Sequence, residues 1–351
     1  MFHRTQKESV KLNTYSDFCH RIGKRVSNHI NHQSEEILEK NHFNSKNGKP
    51  VSGNLVEPKI MEIPKSSRSG SEINEAIKKI NESRIELSEQ VHLTDILLEN
   101  PCESSYVSID DIGVKHQKEH RITDCDKHGV YVWNTVSTVQ FCENTYTLTG
   151  VGMQQVFRNT LAFLLKNRLL ENKNLIFFTD GARNIRSNIE EFFDFRPFTV
   201  ILDWYHLKKR CQEYLSMSVK GGKEKRNIIL QKLLRILWVG NVNESIEYLK
   251  NLSDKELRTP NRIGDLCAYL EKNRAFIPCY SLRQYFNLKI SSNRVEKAND
   301  LVVASRQKHQ GMSWSVSGSG SIAQIQALIL NNELEPWLHG NTSVLFSCSA
   351  A

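Results

Sequence analysis

No two of the eight cysteines form a C-x-x-C pair, so zinc ribbons and thiol redox motifs lack their spacing. The thiols are expected to be reduced and mostly buried, as in a cytosolic protein. Long apolar runs are also missing: stretches such as "LAFLL" (161–165) are far too short to span a bilayer, so no membrane is expected. The opening residues, "MFHRTQKESVKLNTYSDF", carry no apolar core of a secretory signal, which points to the cytoplasm, beside the nucleoid. There is no internal repeat. What remains is a chain of 351 residues, 39% hydrophobic and 25% charged, long enough for two or three packed units.

Basic residues exceed acidic ones by 47 to 39, and the excess is uneven. Between Lys208 and Arg235 lie Lys209, Arg210, Lys220, Lys223, Lys225, Arg226 and Lys232, against only Glu213 and Glu224. Such a cluster attracts polyanions, nucleic acid first among them; a solvated helical face is the alternative.

Apolar spacing predicts five segments. Residues 1–43 read as helices, with Phe18, Ile22, Val26 and Ile30 four apart and Gly23 at a turn; a helix-turn-helix DNA-binding unit and a plain helical hairpin both fit. Residues 44–104 read as a Ser/Gly/Pro/Lys linker, over 44–72, and a helix from Ile73 towards 98. In 105–206 the β-formers gather in strands at 106–117, 129–141, 145–150, 174–179 and 198–203, with a turn at Lys127–Gly129 and helices over 153–171 and 183–194. Residues 207–290 are predicted helical. Residues 291–351 hold a helix near 293–304, a Gly/Ser-rich loop at 311–320 and a helix over 321–331. The order is that of an α/β, RNase H-like mixed sheet with flanking helices, interrupted by an all-helical insertion.

Two apolar strands end in a carboxylate: "NLIFFTD" in Asp180 and "VILD" in Asp203. A charge at such a place needs a cationic partner. Asp110 lies mid-strand in "VSIDDIG" and is preferred to Asp111, because "Y-x-S-x-D" keeps it on the more polar face. Glu296, in "SSNRVEKAND", offers a third acid. Three carboxylates around one point suit two hard divalent cations. Each acid has a plainer reading: "TDGA" fits a helix cap or turn, and most helical glutamates are solvated. His206 in "DWYH" is a candidate ligand, phosphate contact or interior histidine. Arg294, Lys297, Arg306, Lys308 and His309 flank Glu296 and are candidate phosphate contacts. Trp314 is a candidate base-stacking or buried ring.

Four stretches, "YVSIDDIGV", "LIFFTDGARNIRSNIEEFF", "VILDWYHLKKR" and "SSNRVEKANDLVVASRQKHQGMSWSVSGS", resemble bacterial insertion-sequence DDE transposases of the Mutator-like superfamily. The resemblance covers about 105–335. It implies metal-dependent DNA cleavage and strand transfer with two Mg²⁺ or Mn²⁺ ions held by Asp110, Asp180 and Glu296, with Asp203 and His206 supporting the site. It implies DNA partners (terminal inverted repeats and target DNA) and a homo-oligomer. Lys208, Lys209, Arg210, Lys223, Arg226, Arg294, Arg306 and Lys308 would grip the DNA. In relatives a glycine follows the first aspartate; "DDIG" departs from that and keeps Asp111 as the alternative. A truncated, non-catalytic DNA-binding remnant and an RNase H-like nuclease without strand transfer are the other readings.

Overall fold

The computed structural model describes residues 12–51, 68–83, 98–117, 131–171, 173–309 and 312–347. Two helices, α1 (Leu12–Lys40) and α2 (Gly70–Glu82), precede the sheet. β1 (Ser104–Lys115), β2 (Tyr131–Phe141) and β3 (Asn144–Val151) form an antiparallel meander. Helix α3 (Met153–Lys166) then carries the chain to β4 (Asn174–Thr179), and α4 (Arg183–Phe193) to β5 (Thr199–Leu202). Both of these strands run parallel to β1, as crossover helices require. The resulting order, β3-β2-β1-β4-β5, makes a five-stranded mixed sheet compatible with an RNase H-like fold.

The side-chain period of two divides each strand between two cores. Val107, Ile109 and Phe177 pack on the face covered by α1, α3 and α4. Tyr106, Ile176, Phe178 and Ile201 point the other way, beneath α5 (Trp204–Ser218), α6 (Gly222–Trp238), α7 (Val242–Lys250) and α8 (Asn261–Lys272). α9 (Tyr280–Tyr285) follows, and Leu282 and Leu288 meet Ile73, Ala76, Ile77 and Ile80 of α2. On the same face Val114, Val132 and Val136 are covered by α10 (Asn293–Asn299), a π-helical turn over Asp300–Ala304 that leads into α11 (Ser305–Gln307), and α12 (Val316–Leu330). α13 (Leu334–Leu338) closes the first core with Trp337.

β3 lies at the sheet edge, where unpaired backbone groups invite further pairing. Side chains from the α12 region cover them. Asn331 exchanges two hydrogen bonds with the Thr147 backbone, at 2.9 and 2.8 Å, and Gln324 donates to the Thr149 carbonyl at 2.7 Å.

Several expectations need correction. α1 is one continuous helix through Gly23, so among the described residues no turn makes a helix-turn-helix. Gly23 is there for close approach: a Cβ on it would stand 2.3 Å from Ser321 Cβ of α12. The predicted Gly/Ser loop at 311–320 is helical from Val316, with Ser315 capping the Gly318 N–H at 3.1 Å. Its small residues admit α1, since a Cβ on Gly318 would meet His20 Nε2 at 2.8 Å. The start of the predicted linker is also ordered. Phe43 pairs with Pro50, and Gly48, at positive φ, sits against the Phe192 ring. α3 stops at Lys166, because Asn167 turns back to bond Phe163 O at 2.8 Å and Arg168 adopts a φ of 53°. The helix that leads into 207–290, α5, starts at Trp204, directly after the Asp203 cap. Among the described cysteines Cys211 and Cys267 are buried, whereas Cys102 and Cys142 are exposed, and all are free. The predicted turn at Lys127–Gly129, the linker over 52–67 and the helix beyond 83 lie outside the described residues.

Candidate active site

The parallel register of β1 and β4 ends at Ser108↔Phe178, and Asp110 and Asp180 each stand two positions further on. Equal offsets on neighbouring parallel strands put both carboxylates on one sheet face. Gly181 follows at a φ of 86°, where a Cβ would meet Leu202 and the Tyr269 hydroxyl at 3.1 Å, so only glycine turns the chain there. The turn is held by Asp180 Oδ1, which accepts from the Ala182 N–H at 2.7 Å; Oδ2 has no hydrogen bond among the described residues.

Asp110 Oδ2 accepts from Asn299 Nδ2 at 2.7 Å, and Oδ1 accepts from the Asp111 N–H at 2.9 Å. Asp111 points to the opposite face, where its Oδ1 accepts from the Thr135 hydroxyl at 2.6 Å. Geometry therefore groups Asp110, not Asp111, with α10. Burial pushes the Asp110 carboxyl up to about 6; His206 opposes the shift and the Asp180 charge adds to it. Asp111 is raised too, chiefly by burial.

Glu296 sits one helical turn before Asn299 on α10. Its Oε1 lies 3.4 Å from His206 Nε2, the closest charged partner of either group. Burial raises the Glu296 carboxyl above its ordinary value, His206 draws it down and Asp203 adds repulsion. His206 thus acts electrostatically on both Asp110 and Glu296, from the first turn of α5.

Asp203 is 1% exposed and all its capacity goes to the protein. Oδ1 caps α5 through the Tyr205 and His206 N–H groups, at 2.7 and 3.1 Å. Oδ2 accepts from the Ser292 hydroxyl at 2.6 Å and from the Ser292 N–H. The carboxylate is almost wholly enclosed. It staples the start of α5, which bears His206, to the start of α10, which bears Glu296.

The donor chemistry fits hard divalent cations: two neighbouring carboxylates, partly desolvated and repelling each other, with a third acid on the covering helix. Among the described residues no three Asp, Glu, His or Cys side chains stand close enough together to hold one ion. Asp110 and Asp180 are neighbours, while Glu296 is engaged by His206.

The cations named from the sequence divide. Lys208 and Lys209 are exposed on α5, Lys223 on α6, and Arg306 and Lys308 beyond the π turn. Arg210 pairs with Glu213 at 3.2 Å, and Arg226 bonds the Gly222 carbonyl. Lys225 and Lys232, within the same basic run, are occupied by Glu256 and the Tyr248 ring. Trp314 is structural: its Nε1 donates to Gln307 O at 3.2 Å and its backbone bridges to β1. Four residues of the site region escaped the sequence reading: Asn299, Ser292, Lys289 and Gln140. Only Asn299 left a signal, three positions after Glu296 on the same helical face. An open groove at the start of α4, lined by Arg183, Arg186, Lys272 and Arg274 with Glu190 and Glu271, was not anticipated either.

No family model and no curated protein matches the chain. Among solved structures it is similar to the Drosophila P element transposase strand transfer complex, at 10% identity over 79% of this chain and 75% of that one, with a TM-score of 0.23. A likeness that slight carries no argument for fold or function. The fold rests on the strand order. No helix among the described residues is long and apolar enough to cross a membrane.

Proposed function

We propose that this chain is a DNA transposase of the DDE kind, cutting and joining DNA at the ends of an insertion element. The observation that carries the reading is the pairing of Asp110 and Asp180 on one face of adjacent parallel strands, beneath a helix that bears Glu296 and Asn299. Asp110, Asp180 and Glu296 would hold two Mg²⁺ or Mn²⁺ ions once Glu296 leaves His206 and joins the two aspartates; bound there, the ions would supply an activated water or 3′-hydroxyl and charge for the leaving oxygen. Asn299 fixes the Asp110 rotamer, and His206 holds Glu296 ready. Asp203 sets the spacing of the two helices that carry them. Lys208, Lys209, Arg210, Lys223, Arg226, Arg294, Arg306 and Lys308 would bind phosphates, with the groove at the start of α4 as a further cationic path. Bringing two element ends together would require at least two copies of the chain.

The test is a nicking assay on supercoiled DNA with Mg²⁺ or Mn²⁺. Asp180→Asn is expected to abolish nicking while DNA affinity stays equal or rises, because a negative charge leaves the site. Undiminished nicking by this variant would remove Asp180 from the chemistry. A joining assay with 3′-hydroxyl ends separates strand transfer from hydrolysis alone, and binding without any cleavage by the wild-type chain would identify a remnant.

A further inference from the structure

One lateral row of the sheet runs Thr145, Gln140, Tyr106 across β3, β2 and β1, on the face that carries Asp110. Two cations lie over it. Lys289 Nζ is 4.1 Å from the Tyr106 ring centroid and donates to Gln140 Oε1. Arg294 donates from its guanidinium to the Thr145 hydroxyl at 2.5 Å. Neither forms an ion pair with a carboxylate among the described residues. The acid nearest this row, Glu99, is already taken by Arg283, through two bonds at 2.9 and 2.5 Å.

Two cations placed together over neutral partners repel each other. Burial and then Arg294 push the Lys289 ammonium down to about 8. Gln140 is 8% exposed, and its Nε2 has no hydrogen-bond partner among the described residues. Flipping the amide gives no relief, since it would face an N–H donor to the Lys289 ammonium. The row therefore sets two cations against neutral acceptors only and leaves the Gln140 Nε2 donor without any, Glu99 being held by Arg283 and by the Tyr106 hydroxyl at 3.3 Å. A group with several charged oxygens satisfies that arrangement, and phosphate is the common one.

We propose that Gln140, Lys289 and Arg294 form a phosphate-binding subsite that holds a nucleic-acid strand on the sheet face leading to Asp110. This rests on the DNA strand-transfer reading and adds to it a place. Tyr106 precedes Asp110 by four residues on the same face, about 13 Å at the rise of a strand. That places the held phosphate a few nucleotides from the one at Asp110. Lys289 and Arg294 are positioning residues here, since they act on the strand away from the reacting phosphorus.

The experiment measures binding of a fluorescent DNA duplex to the full chain by anisotropy, over a salt series and without divalent ions. Lys289→Met keeps the aliphatic stem over Tyr106, and Arg294→Gln alters an exposed side chain, so both are expected to give native circular dichroism spectra. Each is expected to lower the slope of log affinity against log salt by about 1, the loss of one phosphate contact. Lys289→Arg restores the slope, and Lys78→Met on the exposed side of α2 leaves it unchanged. Unchanged slopes in both Lys289→Met and Arg294→Gln overturn the subsite even if the wild-type chain cleaves DNA. Reduced slopes with no cleavage by the wild-type chain keep the subsite and remove the transposase reading. If a polyglutamate peptide binds with the same dependence on Lys289, the row serves an acidic protein partner and the proposal falls.

Discussion

Four hydrogen bonds converge on the Asp203 carboxylate, and every one comes from the protein. Asp203→Ala leaves three backbone N–H groups and a serine hydroxyl without their acceptor, at a buried point. The expected cost is about 2–4 kcal/mol, read as a lower urea midpoint with an unchanged m-value. A residue that only touched DNA would show no such loss. Glu333 behaves differently. Its Oε1 accepts from the Tyr146 hydroxyl at 2.7 Å, its Oε2 is buried without a partner, and burial pushes its carboxyl up to about 7. The folded state therefore holds a proton that the unfolded chain releases near 4.5, so this group's contribution to stability is full below that value and is lost as pH rises through about 7. The loss is on the order of 3 kcal/mol across the window. Glu333→Gln is expected to flatten this dependence and to raise the denaturation midpoint at pH 8. Legibility at this scale followed the strands. Asp110 and Asp180 stood out because each interrupts an apolar β pattern. Lys289 and Gln140 did not, because what sets them apart is a partner or a lack of one across the sheet, which no local pattern encodes.

At the scale of elements, the strands and both crossover helices could be read from β-branched runs and apolar spacing. Two of the misreadings share one cause. Gly23 and the Gly/Ser stretch before Ala323 look like breakers, yet they are where α1 and α12 touch. Glycine weakens an isolated helix by about 1 kcal/mol, and close packing between two helices offsets that deficit. Gly23→Ala drives a methyl group into Ser321, so it is expected to cost about 1–3 kcal/mol despite the better helix propensity. The Ser321 Cα and carbonyl oxygen also lie 2.6 Å from that methyl position, so shortening Ser321 to glycine would not relieve the clash. Urea denaturation measures the loss, and an unchanged or raised midpoint in Gly23→Ala would mean that the helices do not meet there. The π turn directly after Asn299 belongs to this scale as well. It breaks the regular spacing between the residue that holds Asp110 and the apolar Val302 and Val303 beneath. Neither propensity nor periodicity marks such an insertion in advance.

For the whole molecule, α1 is part of the sheet's first core and not an appended binding unit. Val26, Ile30 and Leu38 are buried with Phe157, Leu161 and Phe192. Deleting residues 1–40 is therefore expected to abolish cooperative thermal unfolding, whereas removal of an independent DNA-binding module would leave the melting of the remainder intact. Helices α5 to α8 likewise cover Ile176, Phe178 and Ile201 of the sheet, so they are a wall of the core as much as carriers of positive charge. The order of elements could be read from the sequence because each connection is local. The role of each helix could not, since burial depends on residues hundreds of positions away. That long reach has a temporal side. The partners of α1 are α3 and α4 and, much later in the chain, α12 and Trp337, whose indole donates to His29 at 3.1 Å. During synthesis the first helix waits, part of its apolar stripe uncovered, until the last of these residues leave the ribosome. A nascent chain halted before residue 316 would thus be a client for chaperones and not a smaller working protein.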